Sequence, residues 1–160
     1  MNSNLSAILS LHAELSLVLI LLVALLADLF MGRHRQRWFH PVICVLMALQ
    51  IGLNLTPDTR ALFGGMYVNT PFTSIVKSIL SAGTLLVFLQ SGEWLGRKDT
   101  HYKQGEFYVL TLSTLLGMFF MVSAGHFLIF YIGLEMASIP MACLCLLYTS
   151  PSPRDISGSR

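Results

Sequence analysis

The sequence predicts an all-α, polytopic protein whose transmembrane helices form a bundle, and three observations support this fold class. Of the 160 residues, 54% are hydrophobic and only 11% are charged. Soluble domains carry roughly 25% charged residues, so this chain has too few charges to cover its surface with well-hydrated groups. In addition, five apolar runs follow one another, and the basic residues between them are unevenly distributed.

The apolar runs set the boundaries of the predicted helices. We expect helices over residues 8–31, 41–55, 72–90, 107–124 and 127–147. Four of these runs meet the ~17–25 residues that a helix needs to cross a bilayer. The second is shorter and contains Gln50, Gly52 and Asn54, which predicts a helix that is tilted or partly buried among its neighbours. Residues 57–71 contain two glycines and two prolines, which favour an ordered loop over a helix.

The basic residues predict the orientation of the bundle. Segments 32–40 and 91–105 each contain three Lys or Arg residues, whereas segment 55–71 contains one and residues 125–126 contain none. Basic loops stay on the cytoplasmic side of a membrane, so this alternation predicts an external N-terminus.

The last predicted helix contains an ionisable group deep in the apolar run. Glu135 is eight residues from Phe127, which places it ~12 Å into the helix and near the midplane of a hydrocarbon core of ~30 Å. No Lys, Arg, Asp or Glu occurs between Phe107 and Leu134 to neutralise it. Such a carboxyl group marks a functional site by default, and one that is alternately protonated and paired can relay protons. The alternative is a structural carboxyl group that stays neutral and hydrogen-bonded.

The residues around Glu135 indicate which way it faces. Leu128 and Tyr131 before it, and Ser138 and Ala142 after it, share its helical face at spacings of three, four or seven residues. This face is smaller and more polar than the rest of the helix, which predicts that it looks into a bundle rather than into lipid.

A second pair of ionisable residues lies in the first and third predicted helices. Lys77 is five residues into its helix, and a polar stripe shares its face: Ser74, Ser78, Ser81 and Thr84. Glu14 lies at a similar depth in the first helix. We hypothesise a Glu14–Lys77 ion pair within the membrane. The alternative is a Lys77 side chain that extends its ammonium group to the membrane interface.

Other reactive side chains give weaker signals. Asp28 is predicted to lie at a membrane interface, and His12 and His126 at the wet ends of their helices. The sequence has no cysteine or histidine cluster with metal-ligand spacing, no phosphate-binding glycine loop and no redox-cofactor motif. We therefore expect no metal or cofactor bound by this chain. Its net charge of +2, without a basic patch, also argues against nucleic acid as a partner.

Four strings carry a resemblance to a known family: Phe63–Phe72, Glu106–Met118, Met121–Ala124 and Gly133–Pro140. Together they resemble subunit N of the proton-pumping NADH-quinone oxidoreductase, respiratory complex I, over roughly residues 11–143. The sequence Gly-Leu-Glu at Glu135 favours subunit N over the related antiporter-like subunits.

The resemblance implies a function, partners and a location. These subunits are similar to cation/proton antiporters and form proton channels in the membrane arm of the complex. Glu135 matches their fifth-helix glutamate, which implies a proton relay coupled to redox chemistry elsewhere. The implied partners are the other membrane-arm subunits and the lipid bilayer of the cell's inner (plasma) membrane. NADH and a quinone would be used by the complex and not bound by this chain.

The chain departs from the family pattern in three places. Gly125 and His126 stand where the family often has Asn and Asp. The family is also far longer, so its later lysine-bearing helices would follow Arg160, and this chain would hold five helices of a longer fold. Residues 148–160 change abruptly to Ser, Pro, Gly and Arg. We expect them to be disordered, and the abrupt change favours foreign sequence introduced as an artefact over a natural tail.

Two other functions fit the residues. The chain could serve a cation/proton antiporter complex without redox coupling, or it could be a non-catalytic scaffold of membrane helices. Genes for other NADH dehydrogenase subunits should flank the gene of a redox-coupled subunit, which distinguishes it from an antiporter subunit. A scaffold, in contrast, requires no role for Glu135.

Overall fold

The computed structural model describes residues 11–30, 39–54, 60–95 and 104–149. This part of the chain forms five α-helices: α1 His12–Phe30, α2 Phe39–Asn54, α3 Pro71–Leu95, α4 Gln104–Val122 and α5 Phe127–Thr149. By length and composition, α1, α3, α4 and α5 could each cross a membrane, and α2 is a shorter apolar helix. The structure therefore confirms the prediction of an all-α bundle of membrane helices.

Several helix ends differ from the predicted ones. Helix α3 continues to Leu95, and α4 begins at Gln104 and ends at Val122, before a turn. Helix α5 includes residues 148–149, so the last helix does not stop where the composition changes, because a helix already formed extends readily through one or two more residues. Residues 150–160, which carry the rest of the predicted tail, lie outside the described residues, as do residues 8–10, 31 and 55.

A cap explains where α3 begins. Pro71 occupies its first position, where a missing N–H group costs nothing. The Thr73 N–H donates to Thr70 Oγ1 at 3.2 Å, and the Thr70 N–H donates to Thr73 Oγ1 at 2.8 Å. This reciprocal arrangement satisfies the first turn of the helix and fixes where the preceding strand ends.

The loop predicted for residues 57–71 contains a β-hairpin. Strands β1 Arg60–Leu62 and β2 Tyr67–Asn69 pair in antiparallel fashion, with Leu62 opposite Tyr67. Gly64 and Gly65 form the bend between them with φ angles of 69° and 92°, a backbone region that glycine adopts without strain. We call the side of the bundle that carries this structure the hairpin end.

The apolar core of the bundle is built by α1 to α4. Its fully buried large side chains come from all four helices: Leu17, Ile43, Met47, Phe88, Leu112, Leu115 and Phe119. Helix α2 buries one stripe along its length, at Ile43, Met47, Gln50 and Asn54, so it is partly buried among its neighbours.

Helix α5 packs against α4 through two glycines. A Cβ atom on Gly117 would lie 2.5 Å from the Ala137 nitrogen, and one on Gly133 would lie 2.8 Å from the Gly117 carbonyl oxygen. Only glycine allows the two backbones to approach so closely. The contact fixes how α5 is rotated and how far it is shifted along α4.

We predict that Gly117→Ala destabilises the protein by ~1–3 kcal/mol, because the added methyl group meets backbone atoms that cannot yield. Gly83→Ala is the matched control, since a Cβ atom there meets nothing within 4 Å. It should be neutral or stabilising by up to ~1 kcal/mol through helix propensity. Thermal unfolding in mild detergent, followed by circular dichroism, measures both. Equal losses of stability in the two variants would contradict the close α4–α5 contact.

Candidate functional site

The structure brings Glu14 and Lys77 together at the hairpin end. The Lys77 ammonium nitrogen lies 2.5 Å from Glu14 Oε1, and the two side chains are only 2% and 5% exposed. It is the one ion pair among the described residues. A lysine this deeply covered does not extend its charge to an interface, so the structure favours the pair over the alternative.

The Lys77 ammonium group has further partners in the hairpin. It donates to Tyr67 Oη at 3.1 Å and to Asn69 Oδ1 at 3.5 Å. It also lies 5.3 Å from the centre of the Tyr67 ring and 5.7 Å from that of Phe119, within cation–π range. We call Glu14, Tyr67, Asn69 and Lys77 the Lys77 junction. A buried charge persists only when its hydrogen-bonding capacity is met, and this set of groups meets it.

Tyr67 acts in the junction as a neutral phenol. Burial raises the pKa of Tyr67 above its ordinary value, and the charge of Glu14 and a hydrogen bond to it act in the same direction. The hydroxyl group therefore keeps its proton and can accept from Lys77 while donating to Glu14. The junction holds one positive and one negative charge, and it is neutral as a whole.

A network of amides and hydroxyl groups extends from the junction along α2. Gln50 Nε2 donates to the Ala13 carbonyl oxygen at 2.7 Å, and Ser16 Oγ donates to Gln50 Oε1 at 2.6 Å. Asn54 Nδ2 donates to Ser81 Oγ at 3.1 Å. These bonds tie α2 to α1 and to α3 around the ion pair. Sequence reasoning noted Gln50 and Asn54 only as polar residues in a short helix.

The polar stripe predicted on α3 is mostly buried, as its pattern required. Ser74, Ser78 and Ser81 are buried, as Lys77 is, and Thr84 is half-buried. Ser78 Oγ donates to the Ser74 carbonyl oxygen at 2.9 Å, within the helix itself. A hydroxyl group satisfied by its own helix needs no partner elsewhere, so Ser78 adds little to the junction.

Glu135 takes part in none of the hydrogen bonds of the Lys77 junction. It is half-buried, and no described side chain forms an ion pair with it. The prediction that its face looks into a bundle is wrong for the described helices: Leu128 is 54% exposed, Tyr131 is 50% exposed, and Ser138 and Ala142 are also exposed. The reason is that α5 uses the opposite side, at Gly133, to pack against α4.

The remaining candidates show no convergent site. Asp28 is exposed, and its carboxylate lies against Gly105 at the start of α4, where any Cβ atom would clash with it. His126 is exposed and accepts a hydrogen bond from the Leu128 N–H at 3.2 Å, while His12 is half-buried. Within residues 11–30, 39–54, 60–95 and 104–149, no three His, Cys, Asp or Glu residues are close enough together to hold a metal ion.

Comparison with known proteins identifies the relatives of the chain. No protein-family model matches it. The NADH-quinone oxidoreductase subunit N of Phocaeicola vulgatus is 57% identical over 141 residues, which make up 88% of this chain and 30% of that protein. The chain is homologous to subunit N of NADH-quinone oxidoreductase. Subunits N of Azobacteroides pseudotrichonymphae and Neisseria gonorrhoeae are 39% and 36% identical, over 87% and 84% of the chain.

These relatives confirm the resemblance that the four sequence strings indicated. The chain spans 28–30% of the length of these three subunit N proteins, so it corresponds to a segment of them. The four long apolar helices agree with a multi-pass membrane protein.

We predict that Lys77→Met destabilises the protein by ~3–5 kcal/mol, because it leaves the Glu14 carboxylate buried without its cation. The double variant Glu14→Gln/Lys77→Met removes both charges, and it should recover a large part of this loss. Thermal unfolding in mild detergent of the two single variants and the double variant gives the coupling energy. If the effects of the single variants simply add, the two charges do not interact as the structure indicates.

Proposed function

We propose that the chain is the part of a proton-translocating subunit N that carries Glu135 as a proton relay. The complete subunit would belong to the membrane arm of an NADH:quinone oxidoreductase. Other subunits of that complex would be its partners, and they would handle NADH and the quinone, with no cofactor bound by this chain. The support comes from the homology to subunit N and from the chemistry of α5.

The position of Glu135 in α5 is the observation that carries this proposal. The apolar span of α5 runs from Phe127 to Leu146, and Glu135 is its one Asp, Glu, Lys or Arg residue. At ~1.5 Å per residue it lies ~12 Å from one end of the span and ~16 Å from the other. A charge at this depth costs several kcal/mol unless it is paired or protonated. The group is therefore suited to exchange a proton when a neighbouring charge approaches or withdraws.

The face of Glu135 has room for such a neighbour. Its side chain points away from the Gly117–Gly133 contact, and the residues beside it on α5 are exposed. Because the chain spans about 30% of the length of its relatives, we infer that the rest of the subunit covers this face and brings a cation to it. Proton transfer would then follow the distance between that cation and Glu135.

We also propose an orientation and a location. In the sequence, the basic segments follow the C-terminal ends of α1 and α3, and these two helix ends lie opposite the hairpin. The hairpin end and the N-terminus would therefore face outward, in the cell's inner (plasma) membrane.

Cysteine labelling tests the orientation. A cysteine replacing the exposed His126 at the hairpin end should react with a membrane-impermeant maleimide added to intact cells. A cysteine replacing Arg35 should react only after the cells are broken. Both variants are made in a chain whose own cysteines are replaced by alanine. The reverse labelling pattern would invert the proposed orientation.

We predict that Glu135→Gln in the full-length subunit lowers NADH-driven proton pumping by roughly tenfold or more per complex, because a general acid or base is worth about two to four orders of magnitude. Glu135→Asp is the matched control, because it keeps the carboxyl group and should retain part of the activity. The quenching of a pH-sensitive dye in membrane vesicles measures pumping, and native gels measure assembly.

The same experiment separates the two alternatives. A scaffold role requires that Glu135→Gln leave pumping unchanged in an assembled complex. An antiporter role predicts ion exchange that depends on Glu135 in the absence of any NADH oxidation. The redox-coupled role requires that the loss appear only in pumping driven by NADH.

A further inference from the structure

Among the described residues, helix α5 packs almost entirely against α4. Only 6% of the residues in its most apolar stretch are buried, against 28% to 50% in the corresponding stretches of α1, α3 and α4. Two features position it among the described residues: the Gly117–Gly133 contact with α4, and the turn over residues 123–126 that precedes it. The depth of Glu135 therefore depends both on the contact with α4 and on what holds that turn.

The hairpin holds the turn as an added strand would. Tyr67 pairs with Ala124 in an antiparallel bridge, and the Val68 N–H donates to the Ser123 carbonyl oxygen at 2.9 Å. The Gly125 N–H donates to the Met66 carbonyl oxygen at 2.8 Å.

Gly125 allows the turn to approach the hairpin this closely. A Cβ atom at Gly125 would clash with the Gly65 carbonyl oxygen. The glycine that departs from the family pattern thus fits the close approach of the two backbones, and the turn and the hairpin form one unit.

Lys77 in turn anchors the hairpin to the bundle. Its ammonium group contacts Tyr67 and Asn69, which are the first and last residues of β2, and its own helix α3 is tied to α1 through Glu14. Asn69 also accepts from Thr73 Oγ1 at 2.9 Å. Tyr67 therefore has two roles: its hydroxyl group accepts a hydrogen bond from Lys77, and its backbone pairs with Ala124 in the turn.

We propose that Lys77 is a positioning residue for Glu135. By holding Tyr67, it fixes the turn at residues 123–126, and this turn, together with the Gly117–Gly133 contact, sets the depth and rotation of α5. The consequence for proton transfer rests on the proposed function, whereas the mechanical link from Lys77 to Glu135 does not. The junction is buried and its two charged side chains are paired with each other, so in this proposal it acts by geometry.

The test uses the assembled complex with full-length subunit N in membrane vesicles. Dicyclohexylcarbodiimide, an apolar reagent that modifies protonated carboxyl groups, serves as the probe. The rate of modification at Glu135, measured by mass spectrometry of its peptide, reports the surroundings of that side chain. Proton pumping per NADH oxidised is measured on the same vesicles.

We expect Lys77→Met to change the modification rate of Glu135 and to lower pumping per NADH, each by roughly threefold or more, as mutations along a coupled network do. Lys77→Arg keeps a cation beside Glu14 and Tyr67, and it should restore much of both. Ser78→Ala is the matched control, because it removes a buried hydroxyl group on the same helix that bonds only to that helix.

Tyr67→Phe keeps the test decisive if Lys77→Met does not assemble. It removes only the hydroxyl group that joins Lys77 to the hairpin, and it should shift the modification rate in the same direction. The proposal would be overturned if Glu135 were modified at the wild-type rate in assembled Lys77→Met or Tyr67→Phe complexes. It would also be overturned if Ser78→Ala changed that rate as much as Lys77→Met does.

The two proposals fail separately. If Glu135→Gln leaves pumping intact but Lys77→Met still alters the modification of Glu135, the relay is wrong and the positioning stands. If Glu135→Gln abolishes pumping while Lys77→Met changes neither readout, the positioning is wrong and the relay stands.

Discussion

A lysine buried in an apolar bundle is the constraint on which the hairpin end depends. An unpaired ammonium group in such a place costs several kcal/mol, so every group around Lys77 must compensate it. Glu14 supplies the countercharge, and Tyr67 and Asn69 supply oxygens from the hairpin. The short strands would be marginal alone, since an isolated two-stranded hairpin has little stability in water. The hydrogen bonds from Lys77 to Tyr67 and Asn69 therefore both compensate the buried charge and hold the hairpin on the bundle.

The sequence predicts those features that depend on chain length and local spacing. Long apolar runs without charges can form only helices in lipid, because every backbone group must be satisfied within the segment. The Glu14–Lys77 pair could be hypothesised because the two residues lie at a similar depth in their predicted helices. In the structure, Lys77 Nζ lies 2.5 Å from Glu14 Oε1. Tyr67 and Asn69 could not be assigned to it, because their place depends on a hairpin whose pairing and docking join segments far apart in the chain. The feature of the sequence that could have indicated this hairpin is the pair of glycines at its bend, Gly64 and Gly65.

Helix α5 shows the limit of helical periodicity. The spacing of Leu128, Tyr131 and Ser138 correctly groups these residues with Glu135 on one face, but it does not say what covers that face. The deciding feature is the Gly117–Gly133 contact, which requires two backbones to approach and so turns the opposite face toward α4. Small residues at a close crossing outweigh a mildly polar stripe, because only one rotation of the helix permits the approach.

The two ionisable positions differ in how completely they are compensated, and this difference separates their roles. Lys77 has a countercharge, two further oxygens and two aromatic rings, so a change in its protonation would leave several buried groups unsatisfied at once. Glu135 has no ion-pair partner among the described residues, so the groups around it constrain it far less. A group meant to change state must not be locked by its neighbours, and a group meant to hold a structure must be. On this physical ground the buried lysine holds the hairpin end together, and the half-buried carboxyl group on α5 is the residue for which we propose a change of protonation.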